Sequence, residues 1–318
     1  MKTKIQSHRG QFALALVPLL LSAAAFFCTL SQSARAATLF VGLQAGAPNG
    51  SVGTYDAAGA VINSSFITGL DGPQGLLLSG NTLYVADYLA GRVGTYNATT
   101  GAAINASFIS GAGVGSPDSF ALLGTLLYVA SINGTVGVYD AITGAVINAN
   151  LIAGLTNPQG LALLGNNLFV TDSFTNSVGK YDAITGLPIN ASFISGLNGP
   201  VAMALHGNDL FVTSLVGGTV GKYDAITGAV ISASFIPGFL NGPDGLAVLG
   251  NSLFLVELGG TVGEYDAATG ATINAALITG LNQPVGIAVQ APEPASAALL
   301  GLGALLLAAR RRRESKGL

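Results

Sequence analysis

Residues 160–200 read GLALLGNNLFVTDSFTNSVGKYDAITGLPINASFISGLNGP. Four short runs in this stretch have strand character. Gly160 to Leu164 is a continuous apolar run, the pattern of a strand buried on both faces. Gly165-Asn166-Asn167 makes a tight turn into a second strand, Leu168 to Thr171. Ser177 to Tyr181 is a third, and Pro188 to Ile194 a fourth. Between the last two, Asp182-Ala183-Ile184-Thr185-Gly186 turns the chain: the Asp side chain can bond nearby amides and Gly accepts positive φ. A Gly-Leu-Asn-Gly-Pro connection leads onward, and no segment has helical periodicity.

The stretch is one copy of a repeat. A Tyr followed by Asp or Asn recurs at Tyr55, Tyr96, Tyr139, Tyr181, Tyr223 and Tyr265, with spacings of 41 to 43 residues. Six copies fill residues 38–290 with nothing left over. Four short antiparallel strands per copy, six times over, is the pattern of a β-propeller. The body begins with second-strand sequence, Thr38 to Gly42, and ends with first-strand sequence, Val285 to Val289. The last strand therefore completes the first blade and joins the ends of the ring. The expected fold is an all-β, six-bladed β-propeller of four-stranded blades closed by the C-terminal strand. An N-terminal signal helix and a C-terminal apolar helix are expected to flank it. The unit G-L-A-L-x-G-N-x-L-F/Y-V-x-D followed by V-G-x-Y-D-A-x-T-G resembles NHL-type six-bladed propellers over about 250 residues. That resemblance implies a fold; propellers of this kind serve as binding modules, lactonases and lyases alike.

Charge separates the body from its ends. Residues 38–290 hold three basic residues (Arg92, Lys180, Lys222) against thirteen acidic ones, a net charge of −10. Such a surface excludes nucleic acid as a partner, because phosphate binding requires a basic patch. Cys28, the only cysteine, lies in the apolar leader, so the body has neither disulfide nor thiol chemistry.

The two ends read as addresses, giving three segments: 1–37, 38–290 and 291–318. Lys2, Lys4, His8 and Arg9 precede an apolar run from Phe12 to Leu30. Ala34-Arg35-Ala36 is a small-x-small signal-peptidase site, with Ala34 and Ala36 as its recognition residues. At the other end Pro292-Glu293-Pro294 is followed by fifteen small and apolar residues, Ala295 to Ala309, and then by Arg310, Arg311, Arg312 and Arg313. Fifteen helical residues reach about 22 Å, short of the roughly 30 Å hydrocarbon core, so such a transmembrane helix suits only a thin bilayer. The arginines are expected to stay on the cytoplasmic side. These three parts, in this order, resemble the PEP-CTERM sorting signal of Gram-negative bacteria. The resemblance implies an exosortase-like processing enzyme as partner, transient or retained inner-membrane anchoring through the C-terminal helix, and a final place in the cell envelope or outside the cell. It also implies an association with extracellular polysaccharide.

Propeller connections alternate between two faces. One face should carry Gln74, Asp118, Gln159, Val201, Asp244 and Val285, all just after a Pro, together with the second-strand ends Asp87, Ser131, Asp172, Ser214 and Glu257. The loops of this face vary while the Tyr-Asp-Ala-x-Thr-Gly turns hardly do, and variation on one face of a repeat array marks a binding surface. Asp87, Asp118, Asp172, Asp244 and Glu257 form the candidate set for Ca²⁺ or another divalent cation at an acidic channel mouth. Their composition resembles that of gluconolactonase-type propellers, without a shared motif. Each acid equally suits a plain turn cap. Catalytic equipment is sparse: His206, the body's only histidine, falls on the opposite face, and no Gly-x-Ser-x-Gly or His cluster occurs. Two functions stay open. One is a non-enzymatic binding or scaffold module for a polysaccharide or envelope protein. The other is a divalent-metal-dependent hydrolase or lactonase.

Overall fold

A computed structural model describes residues 37–44, 49–111 and 114–291. The compact unit Thr38–Gln290 is built of six four-stranded antiparallel sheets. The first comprises β1 (Thr38–Leu43), β2 (Gly50–Asp56), β3 (Val61–Leu70) and the final strand β24 (Pro284–Gln290). The second runs β4 (Pro73–Ser79), β5 (Thr82–Asp87), β6 (Arg92–Asn97), β7 (Ala103–Ser110). The third runs β8 (Pro117–Leu123), β9 (Leu126–Ser131), β10 (Thr135–Asp140), β11 (Val146–Ala153). The fourth runs β12 (Pro158–Leu164), β13 (Asn167–Asp172), β14 (Ser177–Asp182), β15 (Pro188–Ser195). The fifth runs β16 (Pro200–His206), β17 (Asp209–Ser214), β18 (Thr219–Asp224), β19 (Val230–Ser232). The sixth runs β20 (Pro243–Leu249), β21 (Ser252–Glu257), β22 (Thr261–Asp266), β23 (Thr272–Ile278). The innermost strands β24, β4, β8, β12, β16 and β20 touch in that order and return to β24.

The expected flanking helices are corrected. Among the described residues there is no helix, and none long and apolar enough to cross a membrane. Short apolar runs broken by positive-φ glycines, such as Gly165 and Gly186, leave no room for one. No sheet is closed on itself either: each blade is an open sheet, and the ring is joined where β24 pairs with β1, Leu39 facing Val289 and Phe40 facing Ala288. The transmembrane helix expected at 295–309, and the membrane anchoring that depended on it, thus find no qualifying helix among the described residues. That segment, the signal segment 1–36 with Ala34 and Ala36, and the sorting residues Pro292, Glu293, Pro294 and Arg310 to Arg313 lie outside the described residues.

The core lies between blades. Leu39, Val41 and Tyr55 of the first blade pack with Phe254, Val256 and Val262 of the sixth, while Phe169, Val178 and Ile194 of the fourth pack with Leu210, Val212 and Tyr223 of the fifth. Each fully buried apolar side chain of this kind contributes about 1.5–3 kcal/mol. The second strands are almost wholly buried, as in β13; the first strands, such as β12, also pack on both faces, Leu161 toward the third blade and Ala162 toward the fifth, but are more open because they form the sheet edge at the central channel. The recurring V-G-x-Y has a steric cause. The Tyr ring folds back over the Gly two residues earlier, so a Cβ at Gly179 or Gly221 would collide with Tyr181 or Tyr223.

Neighbouring blades are also tied by polar clamps to the turn after the next Tyr-Asp. Tyr84 donates its hydroxyl to the Ala141 carbonyl at 2.7 Å, and Tyr128 donates to Ala183 at 2.8 Å. The next two blades have Phe169 and Phe211 at the tyrosine position, and a lysine on the adjacent strand takes over. Lys180 Nζ donates to the carbonyls of Ala225 and Ile226, and Lys222 Nζ to that of Ala268. Each ammonium also lies over two rings, Lys180 at 4.8 Å from the Phe193 centroid and Lys222 at 4.8 Å from that of Phe235. Lys222 is further paired with Asp209 at 2.8 Å.

Every outer strand is a sheet edge. In five blades an Asn on that strand (Asn63, Asn105, Asn148, Asn190, Asn274) accepts the backbone N–H two residues on, at 3.0–3.1 Å. The pairing register slips at the same place, for instance between Val178 and Lys180, so extra residues bulge from the edge. The fifth blade has Ser232 instead of Asn and Pro237 where the fourth has Ser195. Without the Asn hook, and with a Pro that cannot donate, β19 stops after three residues.

Candidate functional site

The site grows from a six-fold Pro-x-small motif at the start of each first strand: Pro73-Gln74-Gly75, Pro117-Asp118-Ser119, Pro158-Gln159-Gly160, Pro200-Val201-Ala202, Pro243-Asp244-Gly245 and Pro284-Val285-Gly286. Proline has no N–H for the ladder, and the register shifts there in every blade, as between Pro158 and Leu161 or Pro243 and Leu246. These bulges leave the middle residue at the channel mouth. The following residue is small because the next blade's backbone comes close. A Cβ on Gly75 would strike the Asp118 carbonyl oxygen, and one on Gly286 that of Gln74.

The six middle residues therefore form one ring around a cavity of about 310 Å³. The residues two places further on, Leu76, Phe120, Leu161, Met203, Leu246 and Ile287, border the same cavity as an apolar ring, each with its side chain packed in one of the six inter-blade cores. A shallower space of about 400 Å³, bounded by Tyr88, Leu89, Ile132 and Asn157, shares Gln74, Asp118 and Gln159 with it. In ring order β8 and β20 stand three blades apart, so Asp118 and Asp244 face one another across the channel. Among the described residues neither carboxylate has a hydrogen-bond donor or a basic partner. Withdrawal from water, and then the charge of Asp244, push Asp118 up to about 7, and withdrawal from water raises Asp244 to about 6. The Oε1 of Gln159, on the same ring, is buried without a hydrogen-bond partner.

The five acids expected at the mouth thus divide. Asp118 and Asp244 line the cavity. Asp87, Asp172 and Glu257 are buried and occupied at the second-strand ends, where each holds the incoming blade-to-blade turn. Asp87 accepts the Asp71 amide at 2.6 Å and pairs with Arg92 at 2.7 Å. Asp172 accepts from the amides of Thr156 at 2.7 Å and Asn157 at 3.1 Å. Glu257 accepts the Asn241 amide at 2.6 Å. Among the described residues no group of three His, Cys, Asp or Glu converges as a metal would need. His206 ends β16 beside Asp209, at the end of the strand away from the mouth. Sequence reasoning placed Gln74 and Gln159 on this face without giving them a role. It overlooked Phe239, an extra residue in the connection before β20 compared with the fourth blade, which stands 86% exposed and packs over Gly218.

Residues 290–313 match the PEP-CTERM protein-sorting motif. The chain thus joins a six-bladed propeller to a signal of an exosortase-type sorting system, and the motif supports an exported, cell-envelope or extracellular location. A chain of the nidogen/laminin complex is similar over 81% of this chain and 100% of its own length, with a TM-score of 0.66 and 15% identity. At that identity the likeness shows the fold alone. The computationally designed protein Ika8 is similar over 76% of this chain and 72% of its own, with a TM-score of 0.49 and 17% identity. No curated protein matches the sequence. The propeller is thus established, while membership of the NHL group in particular is not.

Proposed function

We propose that the protein is a non-enzymatic binding module of the cell surface or extracellular polysaccharide matrix, and that it takes its ligand at the channel mouth. One observation carries this reading. The blades repeat closely, yet the six equivalent ring positions hold Gln, Asp, Gln, Val, Asp and Val around one cavity with unpartnered polar groups. A cavity of mixed lining with few convergent polar groups is the usual form of a ligand site. The test is partition in the producing cell. Wild-type protein should sediment with the extracellular matrix, while a folded, normally processed Asp118→Asn/Asp244→Asn/Gln159→Leu variant should appear in the medium. Equal partition would sink the reading.

A second reading has its own support. A carboxyl raised to about 7 is poised for general acid–base work near neutral pH, as a lactonase requires. It predicts lactone hydrolysis by the full-length protein that falls by about 100-fold or more in Asp118→Asn. Equal hydrolysis by the two proteins would dismiss it.

A further inference from the structure

We propose that the channel mouth binds a small primary aliphatic amine, its ammonium at the level of Asp118, Asp244 and the Gln159 amide oxygen and its hydrocarbon on the apolar ring that borders the cavity. The proposal rests on the reading of the mouth as a ligand site and names the ligand's chemistry.

The cavity has acceptors in excess. The two carboxylates lack donors among the described residues, and the Gln159 Oε1 is buried and unpartnered. No Lys, Arg or His lines the cavity. The cations of the described body are committed elsewhere, Arg92 to Asp87 and the two lysines to the clamps between blades. An ammonium brings what is missing: positive charge and three N–H donors on one atom. Where the core residues Leu76, Phe120, Leu161, Met203, Leu246 and Ile287 reach the cavity wall they give a hydrocarbon chain an apolar edge to rest on, and the low polarity there strengthens the attraction between nearby charges.

Competing ligands fit less well. An anion meets two carboxylates. A neutral polyol leaves their mutual repulsion unrelieved. A hydrated metal ion leaves the apolar ring uncovered and meets two facing acids rather than a converging set of three. The same geometry explains why both acids hold protons more tightly than usual, and an entering cation reverses that by drawing both toward the ionised form.

The experiment uses the protein as recovered after export, with its Asp carboxyl carbons labelled. Carboxyl resonances and heats of binding are followed near neutral pH during titration with n-butylamine, 1-butanol, glucose and Ca²⁺. The expected result is saturable binding of butylamine that shifts both the Asp118 and Asp244 signals and releases protons. Butanol should bind at least about tenfold more weakly, and the isosteric double variant Asp118→Asn/Asp244→Asn should lose about tenfold or more in butylamine affinity. If glucose or butanol shifts the mouth signals as strongly as butylamine, the amine proposal falls and the mouth remains a ligand site. If Ca²⁺ displaces butylamine stoichiometrically, the site is inorganic and the proposal also falls. If no probe moves either signal, the amine proposal fails by itself, and the matrix partition of the mouth variant then decides the broader reading separately.

Discussion

At the scale of residues, two kinds of buried polar group behave differently. Asp118 is pushed up to about 7 by withdrawal from water and, after that, by the charge of Asp244. Its folded value is raised above the unfolded 3.8, so the native state binds the extra proton between there and about pH 7. Its contribution to stability is therefore greatest below pH 4 and is lost as the pH climbs to about 7. Complete conversion of that rise amounts to ~4 kcal/mol, and water in the open mouth reduces it, so Asp118→Asn should gain ~2 kcal/mol above pH 7. Thermal melts of both proteins from pH 4 to 8 should converge at the acid end and diverge at the neutral end. The clamp residues make the opposite case, since their groups are satisfied. Lys180→Ala should cost ~2–3 kcal/mol by stranding the carbonyls of Ala225 and Ile226. Phe169→Tyr with Lys180→Val copies the Tyr128/Val138 solution of the preceding blade and should recover most of that loss. A double-mutant cycle in urea measures the recovery as coupling between the two positions. The candidate set was half legible at this scale. Asp118 and Asp244 stood out as acids after a Pro. That mark did not reveal that Asp87 and Asp172 are occupied, because what satisfies them is a turn amide about 16 residues away in sequence.

At the scale of elements, strand number and order were plain from the repeat, since the Tyr-Asp turns and Gly-Asn turns punctuate every copy. Strand ends extended one or two residues beyond the apolar runs, because pairing continues through Pro158 and Asp172 where hydrophobicity has stopped. The bulges were not legible: a bulge is a mismatch between two strands, and each strand alone looks regular. Asn63, Asn105 and Asn190, each with a Ser two residues on, are the hooks of those edge bulges. Asn190→Ala should therefore cost ~1 kcal/mol, as loss of a comparable side-chain cap does, and should flatten an exposed edge. Calorimetry would show the lower melting temperature, and light scattering on heating would show earlier association.

At the scale of the whole molecule, the ring depends on one joint. Thr38 faces Gln290 across the β1–β24 pair, and all other blades are built from consecutive strands. This was foreseeable because the body opens on second-strand sequence and closes on first-strand sequence. A Thr38→Cys/Gln290→Cys pair, in a body with no other cysteine, should form a disulfide after export. Tying the ends of so long a loop should raise stability by ~3–5 kcal/mol. Melting with and without reductant reads the difference directly.

The joint has a further bearing on access. β24 starts at the channel mouth with Pro284 and finishes at Gln290, beside Thr38, at the other end of the blade. The backbone thus enters and leaves the propeller at adjacent points on the side remote from Asp118 and Asp244. Gln290, where the sorting motif begins, is thus a residue of the rear face, while the cavity bordered by Asp118 and Asp244 belongs to the front.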